Sequence, residues 1–215
     1  MIKILLVDDH ELVRTGIKRL LADVQGLKVL GEAENGEDAI RFAREKQVDV
    51  VLMDAKMPGI GGLEATKRML RHNPDLRVIA LTVHGEEPFP SLFLQAGASG
   101  YLTKGAGLDE MVRAIKQVFN GHHYLAPEIA QQLALRQFTG NKEPNPFDGL
   151  SEREMQVMMM ITSGQRVQDI SDKLCLSPKT VNTYRYRLFE KLGVNGDVEL
   201  THLAIRHGIL DAEKL

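Results

Sequence analysis

Short apolar runs alternate with amphipathic stretches through residues 1–120. The runs are Ile2–Val7, Lys28–Gly31, Val48–Met53, Val78–Thr82 and Gly100–Leu102. Their length and aliphatic content predict strands. Between the first two, Leu12, Val13, Ile17, Leu20 and Leu21 recur at the spacing of one helical face. The same period returns in Ala39, Ile40 and Ala43, in Leu63, Thr66 and Leu70, and in Leu108, Met111, Val112, Ile115 and Phe119. Five strands alternating with five helices predict an α/β unit, a doubly wound (βα)5 arrangement with parallel strand order 2-1-3-4-5. The unbroken run Val48–Met53 fits a central strand covered on both faces. In such sheets the functional site lies beyond the carboxyl ends of the strands.

After Gly121 the pattern breaks. Residues 122–147 read as a linker carrying one short helix, Pro127–Phe138, with Pro127 suited to a first helical position. Thr139–Pro146 has turn chemistry and almost no apolar residue. Residues 148–215 predict a small all-α unit of four helices. Ser151-Glu152-Arg153-Glu154 is a capping box opening a helix with Met155, Met158, Met159 and Ile161 on its apolar face, and Gly164 stops it. A short helix follows over Val167–Leu174. Ser177-Pro178 then supplies an N-cap and an N1 proline for a third helix, which Gly193 ends. A fourth runs from Val198 to His207. The second and third, joined by Cys175-Leu176-Ser177, have the tight spacing of a helix-turn-helix. The first unit is thus expected over residues 1–121 and the second over 148–215.

Composition adds exclusions. With 43% hydrophobic and 26% charged residues the chain is ordinary globular protein. No apolar run is long enough for a membrane span, and Asp8 and Asp9 interrupt the first one where a secretory signal needs its apolar core, so a cytoplasmic protein is expected. The single cysteine, Cys175, has no partner for an intramolecular disulfide and no zinc-ligand spacing around it, and reads as a small buried residue. The net charge of −2 argues against a generally basic nucleic-acid binder, and residues 148–215 are themselves balanced, 9 basic against 10 acidic. Between Ser177 and Gly193, however, Lys179, Arg185, Arg187 and Lys191 face only Glu190, a local +3. Charge facing phosphates matters more than the total.

Candidate chemistry gathers at the strand ends. Asp8-Asp9 follows the first strand and Asp54 ends the third, its neighbour in the expected order. Two unit charges about 4 Å apart repel by about 4 kcal/mol at an effective dielectric of about 20, so such a cluster calls for a cation. Hard oxygen donors select Mg²⁺. Singly, Asp8 and Asp9 could serve as caps of the first helix and Asp54 as a strand end. Thr82 after the fourth strand and Lys104 after the fifth turn the set into a constellation. Gly59-Ile60-Gly61-Gly62 lacks the Gly-Lys-Ser/Thr ending of a phosphate loop and reads as a flexible entry to the third helix. His10 reads as a surface neighbour, and His122-His123 as a solvated helix end.

Leu6-Val7-Asp8-Asp9-His10, Leu52-Met53-Asp54-Ala55-Lys56-Met57-Pro58-Gly59, Leu81-Thr82 and Gly100-Tyr101-Leu102-Thr103-Lys104 together resemble the receiver domain of two-component response regulators, a flavodoxin-like fold. The resemblance implies that Asp54 is the phosphoryl acceptor, and that Asp8, Asp9, Asp54 and the backbone carbonyl of Lys56 hold Mg²⁺. It implies that Thr82 hydrogen-bonds the phosphoryl group, that Lys104 pairs with its charge, and that Tyr101 reorients with Thr82. The implied donor is a sensor histidine kinase. Lys56-Met57-Pro58-Gly59-Ile60-Gly61-Gly62-Leu63-Glu64-Ala65 and Asn182-Thr183-Tyr184-Arg185-Tyr186-Arg187 resemble the GacA/UvrY subgroup, which implies a donor of hybrid type. The rival enzyme reading, a dehalogenase-type phosphatase, wants a general acid two positions after Asp54, where Lys56 stands. No catalytic turnover is expected.

Leu150-Ser151-Glu152-Arg153-Glu154, Leu176–Tyr184 and Glu190-Lys191-Leu192-Gly193-Val194 resemble the LuxR/NarL-type helix-turn-helix domain of the NarL/FixJ family. At about 100° per residue, Val181, Leu188 and Leu192 share one face of the third helix, leaving Lys179, Asn182, Thr183 and Tyr186 for a major groove. The candidate DNA-contacting set is Lys179, Thr180, Asn182, Thr183, Tyr184, Tyr186, Arg187 and Lys191, the lysines and Arg187 serving phosphates. Arg185 departs from the family, which carries an apolar residue there, and must either snorkel or touch DNA. A homodimer on promoter DNA is expected, paired through the small apolar surface that Val198, Leu203 and Ala204 offer on the last helix, with contact to RNA polymerase; the GacA/UvrY resemblance implies promoters of small regulatory RNAs as targets. An RNA- or protein-binding output is the alternative. Against it, the second unit is all-helical and the chain has no tryptophan.

Overall fold

The structure is a computed structural model describing residues 1–82, 89–139, 146–207 and 209–210. The chain divides into two compact units, Met1–Gly140 and Asn141–Leu215. In the first, six strands form one parallel sheet: β1 (Ile2–Val7), β2 (Leu27–Ala33), β3 (Val50–Asp54), β4 (Arg77–Thr82), β5 (Gly100–Thr103) and β6 (Tyr124–Leu125). Their order is β2-β1-β3-β4-β5-β6. Helices α1 (Glu11–Ala22), α2 (Gly36–Glu45), α3 (Gly61–His72), α4 (Phe89–Gln95) and α5 (Leu108–Phe119) connect them, and α6 (Pro127–Thr139) follows β6. Every residue of β3 is buried, as its unbroken apolar run requires. Each fully buried Val, Leu or Ile side chain contributes about 1.5–3 kcal/mol, so the central strands anchor the unit.

Two features depart from the pattern. The first is β6, which lies where a linker was expected. Its pairing comes from outside the segment: the Tyr124 amide donates to the Ser99 carbonyl and the Ala126 amide to that of Tyr101, each at 3.0 Å. Two residues cannot display a period, but the open edge of β5 supplies partners their backbone needs. The second is the rotation of α1. Its buried face is Arg14, Ile17 and Leu21, while Leu12 is 88% exposed and Leu20 47%. Arg14 turns inward because acceptors wait there. Its Nη1 donates to the Asp8 carbonyl at 2.6 Å and its Nη2 to Glu34 Oε1 at 3.0 Å.

The second unit comprises a 3₁₀ turn (Pro146–Gly149) and helices α7 (Glu152–Thr162), α8 (Val167–Leu174), α9 (Pro178–Leu192) and α10 (Asp197–Arg206). Both halves of the α7 capping box form: Ser151 Oγ accepts from the Glu154 amide at 3.3 Å, and Glu154 Oε2 accepts from the Ser151 amide at 2.8 Å. Met155, Val157, Met158, Met160 and Ile161 are all buried, so α7 is covered nearly all round and not along one stripe. It is the central helix against which α9 and α10 pack. Ser177 Oγ caps α9 by accepting from the Thr180 amide at 3.1 Å, and Gly193 closes it at φ +65°. No described helix is long and apolar enough to cross a membrane.

Cys175 corrects the sequence reading. It is exposed, not buried, and adopts φ +54°, the only positive value at a non-glycine among the described residues. The left-handed turn that ends α8 swings its side chain outward. That conformation costs an L-residue about 1–2 kcal/mol. Cys175→Gly is therefore expected to raise the stability of the second unit by about 1 kcal/mol, part of the relief being offset by glycine's greater chain entropy. Chemical denaturation followed by helical circular dichroism checks this, and a lowered midpoint would contradict it.

Candidate functional site

Parallel register brings the carboxylates together. Val7 is aligned with Met53, so Asp8 and Asp54 leave adjacent strands side by side, and both are 2% exposed. One ligand atom from each of Asp8, Asp9, His10 and Asp54 falls within 4.8 Å of all the others. Lys104, just beyond β5, lays its Nζ 2.7 Å from Asp8 Oδ2 and 2.8 Å from Asp54 Oδ2. Its own amide donates to the Thr82 carbonyl at 2.6 Å, which ties the end of β5 to that of β4. The Lys56 amide donates to Asp54 Oδ1 at 3.1 Å, so the peptide after Asp54 borders the cluster.

His10 is closer in than a surface neighbour. Its Nδ1 lies 3.2 Å from Asp8 Oδ1 and 3.0 Å from Asp9 Oδ1, although the ring stays half-exposed. Asp8 does not cap α1 with its side chain; its Oδ1 accepts from the His10 amide at 2.9 Å. Arg14, absent from the candidates, supports the Asp8 carbonyl from below. Its sequence signal was an arginine at the i−3 and i−7 positions of the buried Ile17 and Leu21. The glycines of the β3–α3 connection serve close approach. A Cβ on Gly62 would stand 2.0 Å from the Asp54 carbonyl oxygen, and Gly59 holds φ +82°. Thr82 is buried at the end of β4, one residue beyond the Leu81 partner of Asp54. Tyr101 is fully buried, edge-on to Phe93 with ring centroids 6.1 Å apart.

The electrostatics follow from burial. Asp54 is pushed up to about 7, first by burial; Lys104 pulls the other way, and the neighbouring Asp8 adds to the rise. Burial also works against the Lys104 ammonium, but Asp54 and Asp8 outweigh it and hold its proton more tightly than usual. A carboxylate that is half-neutral near pH 7 beside other carboxylates has an unmet demand for positive charge, and the all-oxygen carboxylate donors suit a hard divalent cation. A raised acid favours the protonated native state, so without metal this group's stabilisation is complete below about pH 4 and is lost as pH rises through about 7. Asp54→Asn removes that loss. Its metal-free stability relative to the parent should be near parity below about pH 4 and rise above it through pH 7, exceeding it by up to about 4 kcal/mol at pH 8. Denaturant midpoints across this range in a chelator measure it, and a difference independent of pH would refute the assignment.

In the second unit the candidate DNA residues separate by face. Lys179, Thr183, Tyr186 and Arg187 are exposed on one side of α9, opposite the fully buried Val181 and Leu188. Asn182, Thr180 and Tyr184 are half-buried flanks. The Thr180 hydroxyl lies 2.8 Å from that of Ser177 in the cap, and the Thr183 hydroxyl donates to the Lys179 carbonyl at 3.0 Å. Lys191 is engaged within the unit. Its Nζ bonds the buried Glu154 at 2.7 Å and the Gly149 carbonyl at 3.2 Å. Burial alone would raise Glu154, but Lys191 and Ser151 prevail and hold it below the usual carboxylate range. Of the expected pairing residues, Ala204 is fully buried, because with Leu200 it forms the inward stripe of α10. Val198 is 70% exposed and Leu203 half-buried.

The comparisons with known proteins divide the chain at the same place. Residues 4–116 match the response regulator receiver domain, and residues 148–204 match the bacterial regulatory proteins of the luxR family. The chain is 63% identical over 212 residues to the response regulator GacA of Pseudomonas aeruginosa, covering 99% of each. It is 60% identical over 215 residues to the response regulator UvrY of Escherichia coli K12, covering 100% of this chain and 99% of that one. Among solved structures it resembles RcsB of Salmonella enterica serovar Typhimurium, bound to promoter rprA with the phosphomimetic BeF3⁻. That match has a TM-score of 0.72 and 25% identity, over 94% of this chain and 98% of that chain. An acidic pocket at the ends of a flavodoxin-like sheet and a capped helix-turn-helix thus sit in one chain with these relatives: it belongs to the two-component response regulators of the GacA/UvrY group, with a receiver domain and a LuxR-type DNA-binding domain.

Proposed function

We propose that Asp54 is the residue that accepts a phosphoryl group from a sensor histidine kinase, and that this modification controls promoter binding by α9. The observation that carries the reading is the Lys104 ammonium lying between Asp8 and Asp54. Asp8, Asp9 and Asp54, with the Lys56 carbonyl, would hold Mg²⁺, which when bound neutralises charge on the phosphoryl oxygens. Asp54 attacks phosphorus through a carboxylate oxygen. The N–P bond of a phosphohistidine breaks, an O–P bond forms, and the imidazole leaves with the bonding pair. Lys104 then turns its charge from the carboxylates to the phosphoryl group, and Thr82 offers it a hydroxyl donor. Tyr101, packed edge-on to Phe93, adjusts with Thr82. Modification adds negative charge at one point, so its effect runs through elements with two stable arrangements.

Residues 1–121 would carry the receiver role and 148–215 the output, with 122–147 connecting them in a cytoplasmic protein. Lys179 and Arg187 would neutralise phosphates while Asn182, Thr183, Tyr184 and Tyr186 read the groove, with Thr180 at its flank. Pairing on two half-sites would use Val198 and Leu203. A hybrid kinase as donor, small-RNA promoters as targets and contact with RNA polymerase complete the reading by likeness to the GacA and UvrY relatives.

Incubation with acetyl phosphate and Mg²⁺ should add one phosphoryl group by intact mass, and Asp54→Asn should add none. Mg²⁺ affinity should rise with pH through about 7, because the ion displaces the Asp54 proton. Equal labelling of the variant would refute the site. The phosphorylated chain should bind duplex promoter DNA with an affinity that falls steeply with salt, the slope being about −3.6 if a dimer neutralises about four phosphates, two for each copy. Lys179→Ala should weaken binding to all sequences and flatten the slope, whereas Asn182→Ala should reduce sequence preference. Preference for single-stranded RNA over the duplex would overturn the output assignment.

A further inference from the structure

Arg185 stands on α9 at the border between the buried Val181–Leu188 face and the exposed one, and one edge of its guanidinium is paired within the protein. Nε donates to Asp197 Oδ1 at 2.7 Å and Nη2 to Asp197 Oδ2 at 2.5 Å, a two-pronged pair between the middle of α9 and the first residue of α10. The guanidinium carbon also lies 5.5 Å from the centroid of the Phe189 ring. Phe189 in turn meets Tyr186 edge-on, with centroids 6.4 Å apart and ring planes at 84°. An unbroken series of contacts therefore runs from Asp197 through Arg185 and Phe189 to Tyr186, which is 67% exposed on the reading face.

The chemistry of each link restricts motion. Two parallel N–H···O bonds fix the plane of the fork relative to the carboxylate, which a single ammonium contact would not do. The aromatic ring closes one face of that plane. Asp197 is itself well placed at the start of α10, where the helix dipole favours an anion. The pair is partly exposed, at 30% and 41%, so its contribution to folding is small, but its geometry is specific. It also changes the electrostatic sum. Of the four cations between Ser177 and Gly193, Arg185 is neutralised by Asp197 and Lys191 by Glu154. Lys179 and Arg187 are left to meet phosphates.

We propose that Arg185 is a positioning residue for DNA recognition: through Asp197 it sets the orientation of α9 against α10, and so aims Lys179, Thr183, Tyr186 and Arg187, without contacting DNA itself. This rests on the DNA-binding reading above. The full-length chain, phosphorylated with acetyl phosphate and Mg²⁺, tests it on a duplex that the parent chain has selected from a random pool, with a scrambled duplex as control.

Arg185→Met should lower affinity for the selected duplex about fivefold or more, and leave the scrambled duplex and the salt slope unchanged. Asp197→Asn is the more telling variant. It removes a negative charge, so simple electrostatics predicts tighter binding, whereas a lost positioning contact predicts the same selective weakening as Arg185→Met. The double variant should be no worse than either single one. Arg185→Lys, which keeps the charge and loses the fork, should also bind the selected duplex more weakly, and covers the case in which the methionine variant fails to fold. A fall in salt slope of about 0.9 for each copy bound, with equal loss on both duplexes, would make Arg185 a phosphate ligand and overturn the proposal. Unchanged binding by all variants would overturn it as well. A parent chain that selects no duplex would instead remove the DNA-binding reading itself.

Discussion

Two carboxylates share one ammonium at the carboxyl edge of the sheet, and the arrangement of the receiver unit depends on that contact. Asp8, Asp54 and Lys104 come from the ends of β1, β3 and β5, and without Lys104 the two acids would repel at short range in a buried place. The ion pair is only a partial answer, since Asp54 still titrates near neutrality. A buried pair of this kind is seldom a strong source of stability. It leaves the site poised for added positive charge, and the surrounding elements are built to tolerate that state. Arg14 supports the Asp8 backbone, the Lys56 amide supports the Asp54 carboxylate, and Gly62 lets α3 begin against the Asp54 carbonyl.

The same strands lead from the site to the rest of the chain. Lys104 is bonded through its amide to Thr82, and Tyr101 lies on the strand that precedes it. The carbonyl of Tyr101 accepts from the Ala126 amide, so β6 runs alongside β5 at the edge of the sheet and leads into α6. A change in the backbone of β5 would be felt directly at β6 and the start of α6. That contact consists of backbone hydrogen bonds, which are costly to leave unmade.

The second unit solves a different problem: holding one partly exposed helix firmly in place. Capping residues define both ends of α9, and the nearly all-buried α7 lies beneath it. Two ion pairs then brace α9, Lys191 to Glu154 toward α7 and Arg185 to Asp197 toward α10. Half of the helix's apparent positive charge is spent inside the domain. Lys179 and Arg187 stand exposed on α9 outside these two pairs, although this half of the chain is nearly balanced in charge.

What the amino-acid sequence determined by itself was whatever is written locally. Apolar period marked the five main strands and the helices α1, α2, α3 and α5, and Ser151, Ser177, Pro178 and Gly193 marked helix ends, because periods and caps involve residues only a few positions apart. Asp54 and Asp8 were legible as site residues since each follows an apolar run in a sheet whose order the alternation implies. Contacts between distant segments decided the rest. Nothing near Tyr124 announced an edge strand, because its hydrogen-bond partners lie on β5. Leu12 and Val13 fit the α1 stripe as well as any residue, and only the acceptors around Arg14 chose a different face. Lys191 and Arg185 looked alike as cations on a recognition helix until tertiary packing brought Glu154 and Asp197 beside them. A charge in a sequence shows what a side chain can do, but which partner takes it is settled by folding, where burial makes an unmatched charge too costly to keep.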